Sequence, residues 1–443
     1  MSEENEKKCE QSSISNSVGM DVETVRDILD RNSKGAVVNS RKNCVIAIGT
    51  DIELHGKIKL NTLANRKYIC GKVPWSVNDE CREWRNIDSE YLLLYMEKKY
   101  GLSNDKNVLS ALDMVADTNK YNPFIDMLNS IEYDGKRHIE NLLPDYLGVD
   151  KTEYTSECLR LLMLGVISRA FIPGTKFDYV LILYGAQGAG KSTFFMKLCC
   201  NEDWYLENLK NINDKKDAAE LIQGKLIAEF NELLAMKGIA GTEAIKSFVT
   251  LRSDEYRAAY AREPEKRKRQ CVFVGTTNDN QFLVDRTGNR RFLPIEVHKE
   301  KATKDLFSTD PSVLNDFLQA WGEVYQIFKS GKFHLVLSET VAETAEEMQN
   351  KYLEEDARIG IIQGWLDSYI GDYVCVVQIC EAVFGNNDPD KKMVRDVNSI
   401  MNNSIDGWKK GTTHRFPGYG QQRCYERDDN FVTVDEQEKL PFD

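Results

Sequence analysis

The chain has 443 residues, of which 42% are hydrophobic and 29% charged, an ordinary composition for a soluble globular protein with two or three domains. No apolar stretch approaches the length of a membrane span and residues 1–17 are polar rather than a signal peptide, so we expect a cytoplasmic protein with no membrane partner. The net charge of -12 excludes nucleic-acid binding through overall charge, so any such binding must be local.

The eleven cysteines contain no CxxC pair, and the five histidines are scattered between His55 and His414. Structural zinc sites and disulfide frameworks show regular spacings of these residues. We therefore expect reduced, mostly buried thiols, with neither a zinc site nor a disulfide framework.

The first part of the chain indicates a tail and a separate module. Residues 1–20 have the polar composition of a disordered tail. Residues 21–129 mix short β-prone pieces with amphipathic helices, which predicts an N-terminal α+β module. The expected strands are 44–48 and 67–70, and the expected helices are 89–100 and 108–119.

Residues 130–300 combine a helical lead-in with alternating strands and helices, typical of an α/β sheet that binds nucleotide at its strand ends. The apolar run 180–184 precedes the pattern GxxxxGK[ST]. Glycines let backbone N–H groups turn toward phosphate oxygens, and the following helix presents its positive end to the same anion. We expect this loop to hold ATP, with Lys191 at the β and γ phosphates and Ser192 on Mg²⁺. The loop residues are Gly185, Ala186, Gln187, Gly188, Ala189, Gly190, Lys191, Ser192 and Thr193.

A second apolar run, 226–232, combines a strand with carboxylates at its end. An acidic strand beside the phosphate loop is what Mg²⁺ binding and water activation require. We expect Glu232 to polarise the attacking water and Glu229 to help hold Mg²⁺, with Ser192, Glu229 and Glu232 as the candidate metal ligands. The sequence leaves open which of the two carboxylates is the base. The pattern departs from the common one, because Asn231 occupies the place of the usual Mg²⁺-binding aspartate.

Two further signals follow along the chain. The run 271–278 ends in Asn278, whose amide can face the γ-phosphate and the attacking water. Arg290 and Arg291 precede a strand expected at 292–297. One of these arginines is expected to neutralise transition-state charge on the nucleotide of a neighbouring subunit, and the sequence leaves open which one.

The segment 252–269 is locally basic, with seven basic residues against four acidic ones in an acidic chain. Such a segment favours nucleic-acid binding, although a solvated charged surface has the same composition.

The C-terminal part indicates helices followed by a small module. Residues 301–372 predict a helical end to the core, and residues 373–443 predict a module that resembles a winged helix. Its basic residues suit duplex DNA at an origin, and a plain packing or oligomer module suits them equally. The expected elements are helices 305–330 and 338–370, then helices 376–384 and 393–405 and a hairpin at 414–427.

The order of these motifs makes the chain resemble the virulence-associated protein E family. The motifs are the phosphate loop, KLIAEFNEL, IKSFVTLRSDEYRAAYAREPEKRKRQCVFVGTTN and DRTGNRRFLPIEV. The resemblance is strong over residues 120–300 and weak in the flanks, and it lies in the order rather than in any single motif. That family is similar to superfamily 3 helicases and to poxvirus-type primase-helicases of phages and mobile genetic elements.

The resemblance implies an AAA+-like P-loop NTPase core that assembles into a homo-oligomeric ring, usually a hexamer, with each nucleotide at a subunit boundary. It also implies that the basic segment is a hairpin in the central channel, with arms 255–261 and 269–274 and a tip at 262–268. Basic side chains there would follow phosphates, and Tyr256 or Tyr260 would stack on a base. The DNA-binding residues implied in this way are Arg257, Tyr260, Arg262, Lys266, Arg267 and Lys268.

Together these expectations favour an ATP-dependent DNA helicase, a ring-forming motor that replicates a phage or mobile genetic element on single-stranded or forked DNA beside other replication proteins. A nucleotide-switched origin-binding or regulatory ATPase without processive unwinding shares every motif and stays open. A small-molecule P-loop kinase is disfavoured, because no lid-like arginine-rich segment follows with an obvious acceptor site. Residues 1–120 show no metal-binding cysteine set and no clear polymerase carboxylate pair, so we do not expect a complete primase.

Overall fold

The computed structural model describes residues 19–209, 212–231, 239–256, 265–283, 289–353 and 357–428. The chain forms two compact units. The first comprises the described residues up to Asn280 and Arg290–Gln349, and the second comprises those of Gln281–Asn289 and Asn350–Asp443.

The N-terminal part of the first unit folds around its own hydrophobic core, which includes Ile48, Leu92 and Leu112. Its elements are α1 (Val22–Ile28), α2 (Arg41–Thr50), β1 (Ile58–Asn61), β2 (Arg66–Ile69), β3 (Arg82–Glu83), α3 (Asn86–Tyr100), α4 (Asp105–Thr118) and β4 (Lys120–Tyr121). The strands form a sheet in the order β3-β2-β1-β4. The strand expected near 67–70 and the helices expected near 89–100 and 108–119 are confirmed.

The strand expected at 44–48 is wrong, because this segment lies inside α2. The Ser40 side chain accepts a hydrogen bond from a backbone N–H of the first turn and so caps the helix. Cys44, Ala47 and Ile48 are then buried with the spacing of one helix face. Burial on a helix face overrides the β propensity of the branched side chains in this segment.

Cys70 and Cys81 form a disulfide, which corrects the expectation that the thiols are reduced. Antiparallel pairing of β2 with β3 places Ile69 opposite Arg82, and this brings the two flanking cysteines side by side. The free cysteines among the described residues are all buried except for the half-buried Cys200.

Three helices, α5 (Pro123–Ser130), α6 (Ile139–Leu147) and α7 (Glu153–Phe171), lead into the central sheet. Helix α7 is buried along most of its length and belongs to the main hydrophobic core. Within the described ranges, no helix combines the length and the apolar character needed to cross a lipid bilayer.

Arg169, near the end of α7, is fully buried and holds the lead-in against the sheet. Its guanidinium donates hydrogen bonds to the carbonyl oxygens of Thr175 at 3.1 Å and Phe177 at 2.7 Å, and also to that of Cys271. Burial lowers the pKa of Arg169, against the influence of nearby acidic groups. These bonds tie two separate backbone segments, 175–177 and the start of the strand run at Cys271, to one side chain of α7.

A parallel sheet with the strand order β11-β5-β10-β7-β6 forms the centre of the first unit. The strands are β5 (Val180–Tyr184), β6 (Tyr205–Leu206), β7 (Ile227–Asn231), β10 (Val272–Thr277) and β11 (Phe292–Glu296), while β8 (Ser253–Tyr256) and β9 (Glu265–Lys268) form a separate antiparallel pair. Apolar runs such as VLILY are buried because helices cover a parallel sheet. The predicted α/β class is confirmed, as are the strands expected at 180–184 and 292–297, and the structure shows that the strands of this sheet are parallel.

Further helices surround this sheet: α8 (Lys191–Leu198), α9 (Lys215–Leu221), α10 (Ile239–Thr250), α11 (Pro311–Ser330) and α12 (Glu339–Lys351). Helix α11 starts later than the expected residue 305, because Asp310 caps its first turn and Pro311 suits the first helical position. Trp321 of α11 is fully buried and donates a 2.7 Å hydrogen bond to the carbonyl oxygen of Leu198, the last residue of α8.

The second unit has the connectivity of a winged helix. Its elements are α13 (Ala357–Ser368), β12 (Tyr373–Val374), α14 (Val376–Phe384), α15 (Lys391–Asn403), β13 (Trp408–Phe416) and β14 (Gly420–Arg427). The strands are antiparallel in the order β12-β14-β13. The helices and hairpin expected in this region are confirmed, while the segment 338–370 contains two helices, α12 and α13, instead of one.

We expect Arg169→Leu to lower the free energy of unfolding by about 3 kcal/mol, because three buried carbonyl oxygens lose their donor. Urea denaturation followed by circular dichroism measures this loss. Arg160→Leu is the control on the same helix, because the Arg160 side chain is 42% exposed and forms an ion pair with Glu157. That variant should lose less than about 1 kcal/mol. Equal losses in the two variants would contradict the role given to Arg169.

Candidate functional site

The loop expected to hold phosphate follows β5 and turns at three glycines, Gly185, Gly188 and Gly190, of which the first and the last stand at its two ends. Gly185 has a φ of 156°, and a Cβ at this position would lie 2.8 Å from the carbonyl oxygen of Val297. Gly190 has a φ of 87° and stands directly before α8. Both conformations favour glycine over residues with a side chain. The loop therefore enters α8 abruptly and leaves the free N–H groups of the first helical turn at its mouth.

Lys191 lies inside this loop, with only 7% of its surface exposed. Its ammonium donates 2.8 Å hydrogen bonds to the carbonyl oxygens of Gly185 and Ala186 and to the side-chain oxygen of Asn278. Burial lowers the pKa of Lys191, and the carboxyl of Glu229 acts in the opposite direction. The structure thus joins the residue expected to bind phosphate to the asparagine expected to face it.

Glu229 has no exposed surface, and hydroxyl groups donate to both of its carboxyl oxygens. Ser192 donates to Oε1 over 2.9 Å, and Thr276 donates to the same oxygen. Tyr205 donates to Oε2. Burial, followed by the charge of Glu229, raises the pKa of Tyr205, so its phenol remains a donor at physiological pH.

This arrangement suits Mg²⁺ bound together with phosphate. Mg²⁺ prefers hard oxygen ligands and commonly takes one or two from protein, with phosphates and water completing its shell. Ser192 Oγ and Glu229 Oε1 supply such oxygens at one place. In the part of the chain that the structure describes, no group of three or more His, Cys, Asp or Glu side chains is placed to hold a metal by itself.

Three contacts in this site escaped the sequence analysis. Thr276 is two residues before Asn278, so strand alternation is a signal that pointed to it. Tyr205 reaches Glu229 from the neighbouring strand β6, and Lys299 donates a 3.2 Å hydrogen bond to the carbonyl oxygen of Gly188. These two carry no sequence signal, because only the pairing of distant segments brings them to the loop.

Arg290 and Arg291 lie at the opposite edge of the sheet from the phosphate loop. They precede β11, whose first residue pairs with Val180, the first residue of β5. The loop follows the last residue of β5, so about 17 Å of strand separates the two positions. Arg290 is exposed, whereas Arg291 is partly buried with its Nε 3.4 Å from Asp178 Oδ2. The structure does not bring either arginine to the loop of the same chain.

Several expected site residues lie outside the described part of the chain. They are Glu232, the expected base, and Arg257, Tyr260 and Arg262, the expected DNA contacts of the basic segment. Their roles stay predictions.

The basic segment contains an antiparallel hairpin, but its second arm differs from the one expected at 269–274. The first expected arm, 255–261, overlaps β8 at residues 255–256 and otherwise lies outside the described residues. The arms are β8 and β9, and the apolar run that follows belongs to β10, because its side chains are buried in the central sheet. Lys266, Arg267 and Lys268 consequently lie on the arm β9 and not at the tip.

The side chains of β9 alternate between the two faces of the hairpin. Arg267 donates to Oε2 of Glu265 through Nε at 2.9 Å and through a terminal nitrogen at 2.7 Å, on the face shared with Asp254. Lys266 and Lys268 project from the other face, and both are exposed. The charge of Arg267 is therefore partly neutralised on its own strand. The two lysines are exposed on the opposite face, where Glu255 of β8 lies across from Lys266.

Arg269 is a structural residue of the hairpin root, with 3% of its surface exposed. Its guanidinium binds both carboxyl oxygens of Asp254, at 2.7 and 2.6 Å, and donates to the carbonyl oxygen of Phe248 at 2.5 Å. The guanidinium carbon also lies 4.2 Å from the centroid of the Phe248 ring. These contacts fasten the hairpin to the end of α10.

The N-terminal part touches this root through the turn between β1 and β2. The Gln270 side chain donates a 2.7 Å hydrogen bond to the carbonyl oxygen of Thr62, and the Gln223 side chain donates to that of Ala64. A cavity of about 330 Å³ lies between this turn and β9. The N-terminal part is therefore in direct contact with the chain that follows the hairpin root.

The fold and the site define a mixed α/β protein with a glycine-rich loop and a buried carboxylate at one edge of a parallel sheet. The model of the virulence-associated protein E-like domain matches residues 128–354, just over half of the chain. The chain therefore belongs to this family, and the family resemblance drawn from the motifs is confirmed.

Solved structures described as apo forms of the NrS-1 C terminal region are similar to the chain. The A form shows 13% identity and a TM-score of 0.45, covering 84% of this chain and 96% of its own. A second apo structure shows 13% identity and a TM-score of 0.44 over the same shares. No curated protein gives a significant match.

We expect Arg269→Met to loosen the hairpin root, because Asp254 loses its partner and the Phe248 carbonyl oxygen its donor. Hydrogen exchange followed by mass spectrometry should show amides of β8 and β9 exchanging at least about tenfold faster, as for a lost charged hydrogen bond. Arg267→Met is the control, because its Glu265 bonds stay within one strand. No change in exchange on Arg269→Met would show that these contacts do not hold the root.

Proposed function

We propose that this protein is an ATP-driven DNA helicase acting in the replication of a phage or mobile genetic element, and that it works in the cytoplasm. The observation that supports this best is the meeting of Lys191, Ser192, Glu229 and Asn278 at one sheet edge. Nucleotide hydrolysis requires a phosphate-binding loop, a cation on the phosphates, oxygen ligands for Mg²⁺ and a polar group near the γ-phosphate, and these side chains supply them.

Each of these residues has a distinct role in the proposed reaction. Lys191 exchanges its bonds to the loop carbonyl oxygens for bonds to the β and γ phosphates. Ser192 and Glu229 hold Mg²⁺, which when bound neutralises charge on the phosphates. Glu232 polarises the attacking water. The Asn278 side chain exchanges its hydrogen bond with Lys191 for one to the γ-phosphate, so its position depends on whether that phosphate is present.

We also propose a homo-oligomeric ring, most simply a hexamer, in which Arg290 reaches the nucleotide of the next subunit. Its position at the far edge of the sheet supports this, since an arginine there serves a neighbour's site and not its own. Arg290 is preferred to Arg291 because Arg290 is exposed, whereas Asp178 lies against Arg291. An arginine supplied in this way stabilises charge that develops in the transition state.

DNA binds to the hairpin in this proposal. Lys266 and Lys268 project from one face of β9 and are both exposed, Lys266 lies opposite Glu255 of β8, and the strand leads directly into β10 and Asn278. Arg257, Tyr260 and Arg262 belong to the same segment of sequence and add phosphate and base contacts. Movement of β10 on hydrolysis then moves the hairpin along a single strand.

A second candidate function is a nucleotide-switched origin-binding ATPase without processive unwinding. The winged-helix order of the second unit favours it. Arg415 and Arg423 are exposed on the β13–β14 hairpin, and Lys391 and Arg395 are exposed on α15. Arg423 is two residues before the buried Tyr425, whose hydroxyl bonds to α15, so it lies on the sheet face that packs against this helix. Basic side chains of both elements thus favour duplex DNA phosphates.

We expect Lys191→Ala to reduce ATP hydrolysis at least about 100-fold, because the phosphates lose the buried cation that stabilises their charge. Phosphate release measured with and without single-stranded DNA tests this. Lys197→Ala, in the last turn of the same helix, is the control and should retain activity near that of the wild type.

A strand-displacement assay separates the two candidate functions. The helicase proposal predicts ATP-dependent displacement by the wild type and none by Lys191→Ala. Hydrolysis without displacement would favour the origin-binding alternative, and displacement by Lys191→Ala would refute the roles given to this site.

We expect the double substitution Lys266→Ala with Lys268→Ala to weaken single-stranded DNA binding by about tenfold and to reduce the salt slope by roughly 1 to 2. Fluorescence anisotropy at several salt concentrations measures both. Arg267→Ala should change the affinity less, because Glu265 already pairs with this arginine. The proposal for the hairpin face fails if Arg267→Ala has the larger effect.

A further inference from the structure

The carboxyl group of Glu229 is held from two sides by neighbouring strands. Strand β7 lies between β6 and β10, and Tyr205 comes from the first of these while Thr276 comes from the second. Together with Ser192 they give both carboxyl oxygens a hydroxyl donor. The group is completely buried, so water does not compete for these oxygens.

Full burial makes the orientation of this carboxyl group depend on its donors. A buried carboxyl oxygen without a donor is costly, so the rotation that keeps every oxygen bonded is strongly preferred. Tyr205 occupies Oε2, which leaves Oε1 on the side of Ser192. Tyr205 is itself only 7% exposed, so its hydroxyl is held beside the carboxyl by the surrounding packing.

We propose that Tyr205 and Thr276 are positioning residues that fix Glu229 with Oε1 at Ser192 and thereby set the affinity for Mg²⁺ in the nucleotide complex. The inference rests on the nucleotide site of the proposed function and goes beyond it. The hydroxyls of Tyr205 and Thr276 contact the carboxyl proposed to hold Mg²⁺, so we expect them to act on Mg²⁺ binding separately from nucleotide binding. Residues that orient a metal ligand commonly change metal affinity by tenfold or more.

The test measures binding of a fluorescent ATP analogue to the full chain, first in EDTA and then over a Mg²⁺ series. Tyr205→Phe removes only the donor to Oε2. We expect it to raise the Mg²⁺ concentration for half-maximal effect about tenfold, while the affinity in EDTA stays within about twofold of the wild-type value. Thr276→Val should also raise this Mg²⁺ concentration, whereas Thr276→Ser, which keeps the hydroxyl donor, should leave it at the wild-type value.

Tyr100→Phe is the matched control. Tyr100 is a buried tyrosine of the N-terminal part whose hydroxyl donates over 2.7 Å to Asp51, a buried carboxyl that also has a second tyrosine donor. Its loss should leave the Mg²⁺ dependence unchanged. Thermal unfolding without nucleotide measures the stability of both variants. If loss of a buried tyrosine hydroxyl only lowers stability, Tyr205→Phe and Tyr100→Phe should show similar decreases in unfolding temperature.

The outcomes separate the inference from the proposed function. If the wild type binds no nucleotide, the proposed function fails and the inference fails with it. If the wild type shows Mg²⁺-dependent binding and the folded Tyr205→Phe and Thr276→Val variants match it, only the inference is overturned. If Tyr205→Phe does not fold, the comparison of Thr276→Val with Thr276→Ser decides.

Discussion

The register of the central parallel strands is the constraint on which the site depends. Strand β10 pairs with β5 on one side and β7 on the other, with Gly275 opposite both Ile182 and Phe230. This alignment puts the carboxyl ends of the three strands at one edge of the sheet. The loop after β5, the carboxyl group of Glu229 and the side-chain amide of Asn278 meet there. A slip of one residue in β7 would turn Glu229 to the opposite face of the sheet. Burial of the apolar side chains on both faces holds the register in place.

Strand β10 also connects the two regions that the proposed mechanism couples. The hairpin strand β9 enters it at one end, and Asn278 leaves it at the other, across six residues or about 20 Å. Two buried arginines hold the entry: Arg169 donates to the carbonyl oxygen of Cys271, and Arg269 binds Asp254. In the proposed mechanism, a change at Asn278 would reach the hairpin through this strand and its fixed root.

Local signals predicted much of this architecture because they do not depend on distant residues. The apolar run 180–184 and the glycine pattern after it were sufficient to place a strand, a turn and a helix. Helix 376–384 and the C-terminal hairpin carry equally strong periodicity and turn residues. The segment 44–48 misled, because branched residues on a helix face and in a strand look alike until their burial is known. The second arm of the basic hairpin was misplaced for a related reason, since charge alone does not show which arginine will pair with Asp254.

The sequence by itself determined the family, the α/β class and the identity of the residues expected at the phosphate loop, because these follow from short motifs in a fixed order. Only the tertiary structure decided how they act on one another. It placed Tyr205 and Thr276 around Glu229, removed Arg269 from the exposed basic face, and set Arg290 at the far edge of the sheet. Those outcomes arise from strand pairing and burial between segments tens of residues apart. The spacing of residues within a single motif predicts neither the pairing nor the burial.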